Sequence, residues 1–264
     1  MGGGGGARMG IGGFVSLLIL SLVFKRDFFS LVGGGGGAVS APSAAEAPVQ
    51  DANEEKSVLV MSAVLDSTQN FWSRTLPTLG TPYQRAKLVL YREVTPTACG
   101  TGQAATGPFY CPGDGKVYLD LAFLDELSER FGAKGDFAQA YVLAHEIGHH
   151  VQNLLGTSGQ VHGAQQGARS QEEANALSVR LELQADCYAG VWAHTAGQQG
   201  WLDTDDPQEA LGAAAAVGDD RLQRAATGRV SPESWTHGSS EQRMQWFTRG
   251  FKDGRAEACD TFSR

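Results

Sequence analysis

Residues 137–156 read FAQAYVLAHEIGHHVQNLLG, and this stretch carries the pattern on which the fold and the chemistry of the chain depend. Its apolar residues recur at helical spacing and predict an amphipathic helix. On such a helix His145 and His149 lie about 40° apart and one turn along the axis, so both imidazoles can bind one zinc ion. Glu146 lies about 100° from His145, where its carboxylate can reach a water on that metal without binding the metal itself.

Helices dominate the predicted secondary structure, and capping residues or prolines mark their ends. The predicted helices are Glu55–Arg74, Asp136–Leu155 with Asp136 as its cap, Ser170–Ala196, one that starts after Asp206-Pro207 and runs to Thr227, and Ser240–Gly250. The predicted strands are Ala86–Val94 and Lys116–Phe123, with a loop or irregular edge strand at 99–115, a hairpin turn at Asp114-Gly115 and a loop at 156–169. The sequence therefore predicts a mainly helical α+β domain in which a small sheet packs on the helix that carries His145.

A third zinc ligand has to come from elsewhere in the chain, because two histidines are too few. The extended metzincin pattern is excluded, since Gln152 and Leu155 stand where it requires Gly and His. Glu182 and Asp186, four residues apart on the helix that follows, share one helical face. Glu182 is the predicted ligand, and Asp186 is predicted to accept the ring N–H of a zinc-bound histidine. The Glu172-Glu173 pair is the alternative, but in the first turn it fits better as a partner of the helix dipole.

Other polar residues could suggest further sites, and for each of them we expect a structural or solvated role. His150 points about 100° away from His149 and is expected to be solvated. The Asp219-Asp220 pair could suggest another metal site, but it is expected to lie on a solvated helix face. His162 and His194 are expected to be structural.

The motif at 145–149 and the stretch SVRLELQADCYAGVWA at 178–193 together resemble the bacterial neutral zinc metallopeptidase family, whose members are membrane-anchored. The resemblance runs from about Leu88 to Phe251. The chain is also distantly similar to membrane zinc proteases of the CAAX-prenyl and heat-shock type. These resemblances imply a zincin-like domain of the gluzincin type, with one Zn²⁺ per chain.

The distant relatives also carry a His-Pro pair with an Arg six residues after the His, beside the metal. Here His237 and Arg243 keep that offset, although Gly238 replaces the proline. The resemblance implies that His237, with Arg243, stabilises the oxyanion of a tetrahedral intermediate. Family analogy also implies that a peptide substrate lies extended along residues 106–111, with Thr106, Gly107, Pro108 and Phe109 as the strand residues.

The predicted activity is that of a zinc-dependent endopeptidase that hydrolyses peptides or proteins near a membrane, with Glu146 as the general base. One alternative is a zinc-stabilised binding or scaffold protein without activity. Another is a zinc amidase that acts on cell-wall peptide. Glu146 favours an enzyme over a scaffold, because a structural zinc site has no need of a carboxylate beside its ligands.

The N-terminal part of the chain predicts a membrane anchor. Residues 10–24 carry no charge and would span roughly 22 Å as a helix, short of a hydrocarbon core of about 30 Å unless the bilayer adapts. We therefore divide the chain into a tail and single anchor at 1–32, a flexible linker at 33–53 and a metallopeptidase domain at 54–264. The expected location is the bacterial cell membrane, in a single pass. The alternative is a protein secreted after signal cleavage.

Four cysteines and the overall charge bear on location and on partners. Of the three possible pairings, Cys99 with Cys111 and Cys187 with Cys259 is preferred, and four free thiols are the alternative. Disulfides would place the catalytic domain outside the reducing cytosol. The net charge of −8, without a cluster of Lys and Arg, gives no basis for binding nucleic acid.

Overall fold

The computed structural model describes residues 52–103, 107–129 and 135–263. The helices in this part of the chain are α1 (Ala52–Thr75), α2 (Leu121–Glu129), α3 (Asp136–Leu154), α4 (Thr157–Gln166), α5 (Gln171–Gln198), α6 (Asp206–Ala216), α7 (Asp219–Thr227) and α8 (Ser240–Asp253). The strands are β1 (Lys87–Tyr91), β2 (Val94–Thr97), β3 (Gly100–Gln103), β4 (Phe109–Cys111) and β5 (Lys116–Asp120). The predicted mainly helical α+β class is confirmed.

Helix α3 lies at the centre of the fold and packs against α1, α5 and α6, so most of its residues are buried. Gly148, inside the histidine motif, faces α5. A Cβ atom at Gly148 would lie only 3.0 Å from the backbone oxygen of Ala185. The two helices therefore approach almost to backbone contact, and this brings the motif on α3 against Glu182 on α5.

Helices α5 and α8 share the most extensive helix contact in the described part of the chain. Gly190 on α5 and Gly250 on α8 lie in this contact, and a Cβ atom at either position would overlap the backbone of the other helix. The small residues thus allow an approach that larger side chains would prevent. This approach places the buried side chain of Arg243, in the first turns of α8, against Asp186.

The main sheet has the strand order β1-β5-β4, with β1 parallel to β5 and β4 antiparallel to β5, while β2 and β3 form a separate antiparallel pair. Val117 and Leu119 of β5 point into the main helical core. Tyr118 points to the opposite face, where it packs with Tyr91 and Cys111. The predicted hairpin turn before β5 is confirmed, with Gly115 at a φ of 67°.

Several local predictions were wrong. The strand from Lys116 ends at Asp120, because its carboxylate accepts the backbone N–H of Ala122 at 2.8 Å and caps α2. Asp136 is not a cap; it is the first residue of α3, after Gly135. Residues 156–169, expected to form a loop, contain α4.

The predicted single helix that runs to Thr227 is divided into α6 and α7. The division falls at Gly218, where a Cβ atom would overlap the backbone of Ser240 at the start of α8. The close contact with α8 therefore requires a glycine in an extended conformation, which ends one helix before the next begins.

The predicted anchor at 1–32 and the predicted linker at 33–53 lie outside the described residues, except for residues 52–53, which belong to α1. The domain division stays a prediction. Within residues 52–103, 107–129 and 135–263, no helix combines the length and the apolar character needed to cross a bilayer.

Both predicted disulfides are present in the structure. Cys99, at the turn between β2 and β3, is joined to Cys111 of β4. Cys187 of α5 is joined to Cys259, at the end of a short 3₁₀ helix that follows α8. The first bond fastens the β2–β3 hairpin to the edge of the main sheet, and the second fastens the C-terminal segment to α5.

Candidate active site

The three predicted metal ligands converge between α3 and α5. The Nε2 atoms of His145 and His149 are 3.1 Å apart. The carboxylate of Glu182 lies 3.2 Å from His145 Nε2 through Oε2 and 3.4 Å from His149 Nε2 through Oε1. Burial opposes a charge on Glu182, but the two histidines hold its pKa well below the ordinary value, so the ligand carboxylate is ionised.

The chemistry and spacing of this donor set fit a zinc ion. Two imidazole nitrogens and one carboxylate are ligands that zinc prefers, and three protein ligands leave a fourth position open. A tetrahedral zinc with ligands at about 2.0–2.1 Å holds neighbouring ligand atoms about 3.3–3.4 Å apart. The ligand atoms of the three residues all lie within 4.8 Å of one another. Little rearrangement would be needed for them to bind one ion.

Asp186 orients the first histidine, as the sequence predicts. Its Oδ1 atom lies 2.8 Å from His145 Nδ1, so the ring donates this N–H and presents Nε2 to the ligand cluster. Tyr141 also donates to Oδ1. Arg243 donates to both oxygens, at 2.8 and 2.9 Å. Burial would raise the pKa of Asp186, but Arg243 and His145 lower it to about 2.

Arg243 is buried, with 3% of its surface exposed, and its Nη2 atom lies 3.3 Å from His145 Nδ1. Besides Asp186 it donates to Tyr141 at 3.2 Å and to the carbonyl oxygen of Val217 at 3.4 Å. The expected position beside the metal ligands is therefore observed. The expected catalytic role does not match this geometry. The guanidinium lies on the Nδ1 side of His145, where it pairs with Asp186 and acts as the counter-ion of that carboxylate.

Gln152 orients the second histidine, a role that was not predicted from the sequence. Its Oε1 atom accepts the Nδ1–H of His149 at 2.8 Å, and its Nε2 atom donates to the carbonyl of Leu181 at 2.7 Å and to Gln184 at 3.1 Å. The spacing of three residues from His149 on one helix was the available signal. Both histidines are thus fixed through Nδ1, one by a carboxylate and one by an amide.

Glu146 lies beside the ligands with an uncommitted carboxylate. The residue is 7% exposed, and within the described residues no group donates a hydrogen bond to its carboxylate. It is also close enough to influence the neighbouring ligand. Burial favours the neutral imidazole of His149, but Glu182 and Glu146 raise the pKa of this histidine to about 9. A buried acceptor beside the ligand cluster is the arrangement that a general base requires.

His237 lies in the loop before α8, and its side chain is half-exposed. Asp219 holds this loop, because its Oδ2 atom accepts the consecutive backbone N–H groups of Thr236, His237 and Gly238 at 2.8, 2.7 and 3.0 Å. Its Oδ1 atom lies 3.4 Å from His237 Nδ1. Partial burial lowers the pKa of His237, but Asp219 and Glu182 together raise it above the ordinary value.

The expectation that the Asp219-Asp220 pair lies on a solvated face was wrong, since both carboxylates bind the segment that leads into α8. Asp219 is 91% buried. Asp220 accepts from the backbone N–H and the hydroxyl of Ser240, at 2.7 and 2.8 Å. The pair anchors the His237 loop instead of binding water.

Three of the four predicted substrate-strand residues are described, and Thr106 lies outside the described residues. Gly107 has a φ of 66° and precedes Pro108, after which β4 begins at Phe109. The Phe109 ring stacks on Tyr118 with 5.1 Å between centroids, on the sheet face that points away from α3. Strand β4 is the terminal strand of the three-stranded sheet.

His150 is buried, although the sequence predicted a solvated side chain. Only 3% of its surface is exposed, and its Nε2 and Nδ1 atoms lie 2.5 Å from the carbonyl oxygen of Gln84 and 3.0 Å from the Tyr110 hydroxyl. Burial lowers its pKa, so the neutral imidazole is favoured. The prediction that His150 points away from His149 was correct. On that side of the helix, however, the imidazole contacts the sheet region instead of solvent.

Two histidines and a glutamate that converge beside a second, uncommitted glutamate define a candidate mononuclear zinc site of the hydrolytic type. The chain belongs to the family described as "Putative neutral zinc metallopeptidase", which matches residues 1–262. The family predicted from the two motifs is thereby confirmed, and its description names both zinc and peptidase activity.

Relatives of this chain occur in bacteria. It is 47% identical over 266 residues to uncharacterized protein YpfJ of Escherichia coli, which covers 99% of this chain and 91% of that protein. It is 48% identical over 209 residues to uncharacterized protein Rv2575 of Mycobacterium tuberculosis, which covers 75% of this chain and 68% of that protein. No solved structure matches the chain.

Proposed function

We propose that the protein is a zinc-dependent endopeptidase with a zincin-like arrangement of helix and sheet. The observation that carries this proposal is the convergence of His145, His149 and Glu182 beside Glu146, whose carboxylate has no partner among the described residues. A structural zinc site would be closed by a fourth protein ligand and would have no use for a buried free carboxylate. This arrangement therefore favours hydrolysis over a scaffold role.

The chemistry divides between the metal and the residues around it. Zinc, when bound, supplies Lewis acidity that activates water and polarises a scissile carbonyl. Glu146 accepts the proton of the attacking water and delivers it to the leaving amine. His237 donates to the developing oxyanion, and Asp219 holds the backbone of its loop in place. Asp186 and Gln152 keep the two ligand histidines in the tautomer that presents Nε2.

The substrate is proposed to bind as an extended peptide beside β4. This strand ends the three-stranded sheet, and its Tyr110 contacts His150 and Asn153 in the last turns of α3. An edge strand offers backbone N–H and C=O groups, which hold an added peptide in register. Gly107 and Pro108 precede this edge, and Phe109 begins it. Backbone pairing along a strand depends neither on the side chains of the peptide nor on a chain terminus, so this edge fits an endopeptidase that accepts varied side chains.

The protein is proposed to act outside the cytosol, held at the membrane by its N-terminal segment. Both disulfides support this location, because such bonds persist in oxidising compartments. The anchor itself rests on the uncharged stretch at 10–24. A cleaved signal peptide would give a secreted enzyme with the same site.

The proposal is tested with the full-length chain, by measuring zinc content and hydrolysis of a broad peptide library. Glu146→Gln is expected to retain about one zinc per chain and to lose at least about 100-fold in kcat. The matched control is Glu172→Gln, because this glutamate is exposed in the first turn of α5 and should leave both quantities unchanged.

The possible outcomes separate the candidate functions. Zinc with activity that depends on Glu146 supports the endopeptidase. Zinc without turnover of any peptide favours the scaffold, and cleavage confined to cell-wall peptides favours the amidase. Full activity in Glu146→Gln, or a chain that binds no zinc, would refute the mechanism.

A further inference from the structure

A chain of hydrogen bonds connects α3 to two parts of the sheet region through His150. The acceptor at one end is the carbonyl oxygen of Gln84, which can only accept, so His150 Nε2 carries the proton at 2.5 Å. In the neutral ring Nδ1 is then an acceptor, and the Tyr110 hydroxyl donates to it at 3.0 Å. The same hydroxyl accepts from Asn153 Nδ2 at 3.1 Å. In each of these three hydrogen bonds a donor faces an acceptor.

This hydrogen-bond network joins elements that are distant in sequence. His150 and Asn153 lie on α3, Tyr110 is the central residue of β4, and Gln84 precedes β1. The imidazole is almost fully buried between the rings of Tyr83 and Tyr110, whose centroids lie 5.5 and 5.2 Å from its own. Both ring nitrogens of the buried imidazole are paired, while Tyr110 and Asn153 are partly buried. A polar network paired around a buried imidazole favours one arrangement, so it holds β4 on α3.

We propose that Tyr110, His150 and Asn153 are positioning residues that hold β4 at the distance from the metal ligands required by an extended substrate. His150 follows the ligand His149 directly in the chain, so the helix turn that sets the ligand also sets the strand. The inference rests on the proposed endopeptidase function and on substrate binding along β4. It assigns a role in peptide binding to three residues that contact neither the ligand atoms nor Glu146.

Tyr110→Phe is the decisive variant, because it removes one hydroxyl and keeps the ring. In the zinc-loaded full chain we expect KM to rise about five- to ten-fold, the effect of one or two ordinary hydrogen bonds, with kcat and zinc content unchanged. The matched control is Tyr83→Phe. Its ring also packs on His150, but its hydroxyl lies 3.4 Å from Gln69 on α1, so KM should stay the same.

A second measurement does not depend on turnover. Amide hydrogen exchange at Phe109, Tyr110 and Cys111 should be faster in Tyr110→Phe than in wild type and in Tyr83→Phe, because β4 loses its fastening to α3. Equal exchange in the two variants, or a fall in kcat with KM unchanged, would overturn the inference. If the zinc-loaded wild type hydrolyses no peptide, the proposed function fails, and the exchange rates still decide whether this network holds β4.

Discussion

Replacing Asp186 by asparagine tests whether a buried ion pair holds the zinc site together. The side chain is completely buried, and all of its bonds in the structure come from donors on Tyr141, His145 and Arg243. Asparagine keeps the size but turns one acceptor into a donor that must face another donor. The change also leaves the buried guanidinium of Arg243 without its counter-ion.

Two lines of reasoning about the same ion pair give the approximate size of the effect. Removing one partner of a buried pair costs about 3–5 kcal/mol. The pKa of Asp186, about 2 against an ordinary value of 3.8, corresponds to about 2–3 kcal/mol at neutral pH. A loss of about 3 kcal/mol would lower the Tm of a domain of this size by roughly 6–12 °C. Because folding lowers this pKa, the stabilisation is present above about pH 4 and is lost as the pH falls through about 2.

The assay combines thermal unfolding of the metal-free chain with zinc affinity, measured by competition with a chelator. Asp186→Asn should lower the Tm as estimated and weaken zinc binding about 10- to 100-fold, because a neutral amide orients the His145 ring less strongly than a carboxylate. The double variant Asp186→Asn/Arg243→Met lacks both members of the ion pair, so neither charge of the pair is left buried without its partner. This double variant should recover at least about 2 kcal/mol of stability, whereas zinc affinity should stay low.

The double-mutant cycle also provides the refutation. If Asp186→Asn shifts the Tm by less than about 2 °C, the ion pair does not stabilise the fold. If the two substitutions are additive, Asp186 and Arg243 are not coupled, and the placement of α8 has no influence on the ligand His145.

Two further variants test other parts of the structure. Gln152→Leu leaves the Nδ1–H of His149 without an acceptor and should weaken zinc binding at least about 10-fold. The control Gln198→Leu, at an exposed amide of α5, should leave the zinc affinity unchanged. Equal zinc affinities of the two variants would exclude the role of Gln152. Asp206→Asn should raise the Tm at pH 7, because burial and nearby carboxylates raise the pKa of Asp206 and its charged form is therefore unfavourable in the folded state. This advantage should disappear below about pH 4, where the wild-type carboxyl is protonated, and an advantage that is independent of pH would contradict the explanation.

The side chains that converge at the candidate metal site could be predicted from the sequence because the information is local. His145 and His149 are one helical turn apart, and so are Glu182 and Asp186, which makes each pair visible as a spacing. The approach of the two helices is the step that the sequence analysis could not supply. It depends on Gly148, which lies inside the motif but becomes informative only when its neighbour on α5 is known.

His150 and Asp219 show where sequence reasoning ends. His150 bonds to a backbone carbonyl 66 residues away, and Asp219 accepts backbone N–H groups 17 to 19 residues away. Backbone partners exist at every position, so they leave no pattern of side-chain types to detect. A solvated role was therefore the reasonable expectation for both residues, and tertiary packing determined the outcome.

The helical period of α5 explains how one element organises the whole site. Glu182, Asp186 and Gly190 are spaced four residues apart, so they form one stripe that turns slowly around the helix. The first residue provides the predicted metal ligand, the second fixes His145, and the third admits the backbone of α8. That last contact brings Arg243 to Asp186, one turn back along the same stripe. The distance between α5 and α8 is therefore set by a residue without a side chain, and any side chain at Gly190 should weaken zinc binding through Arg243 and Asp186 without touching a ligand.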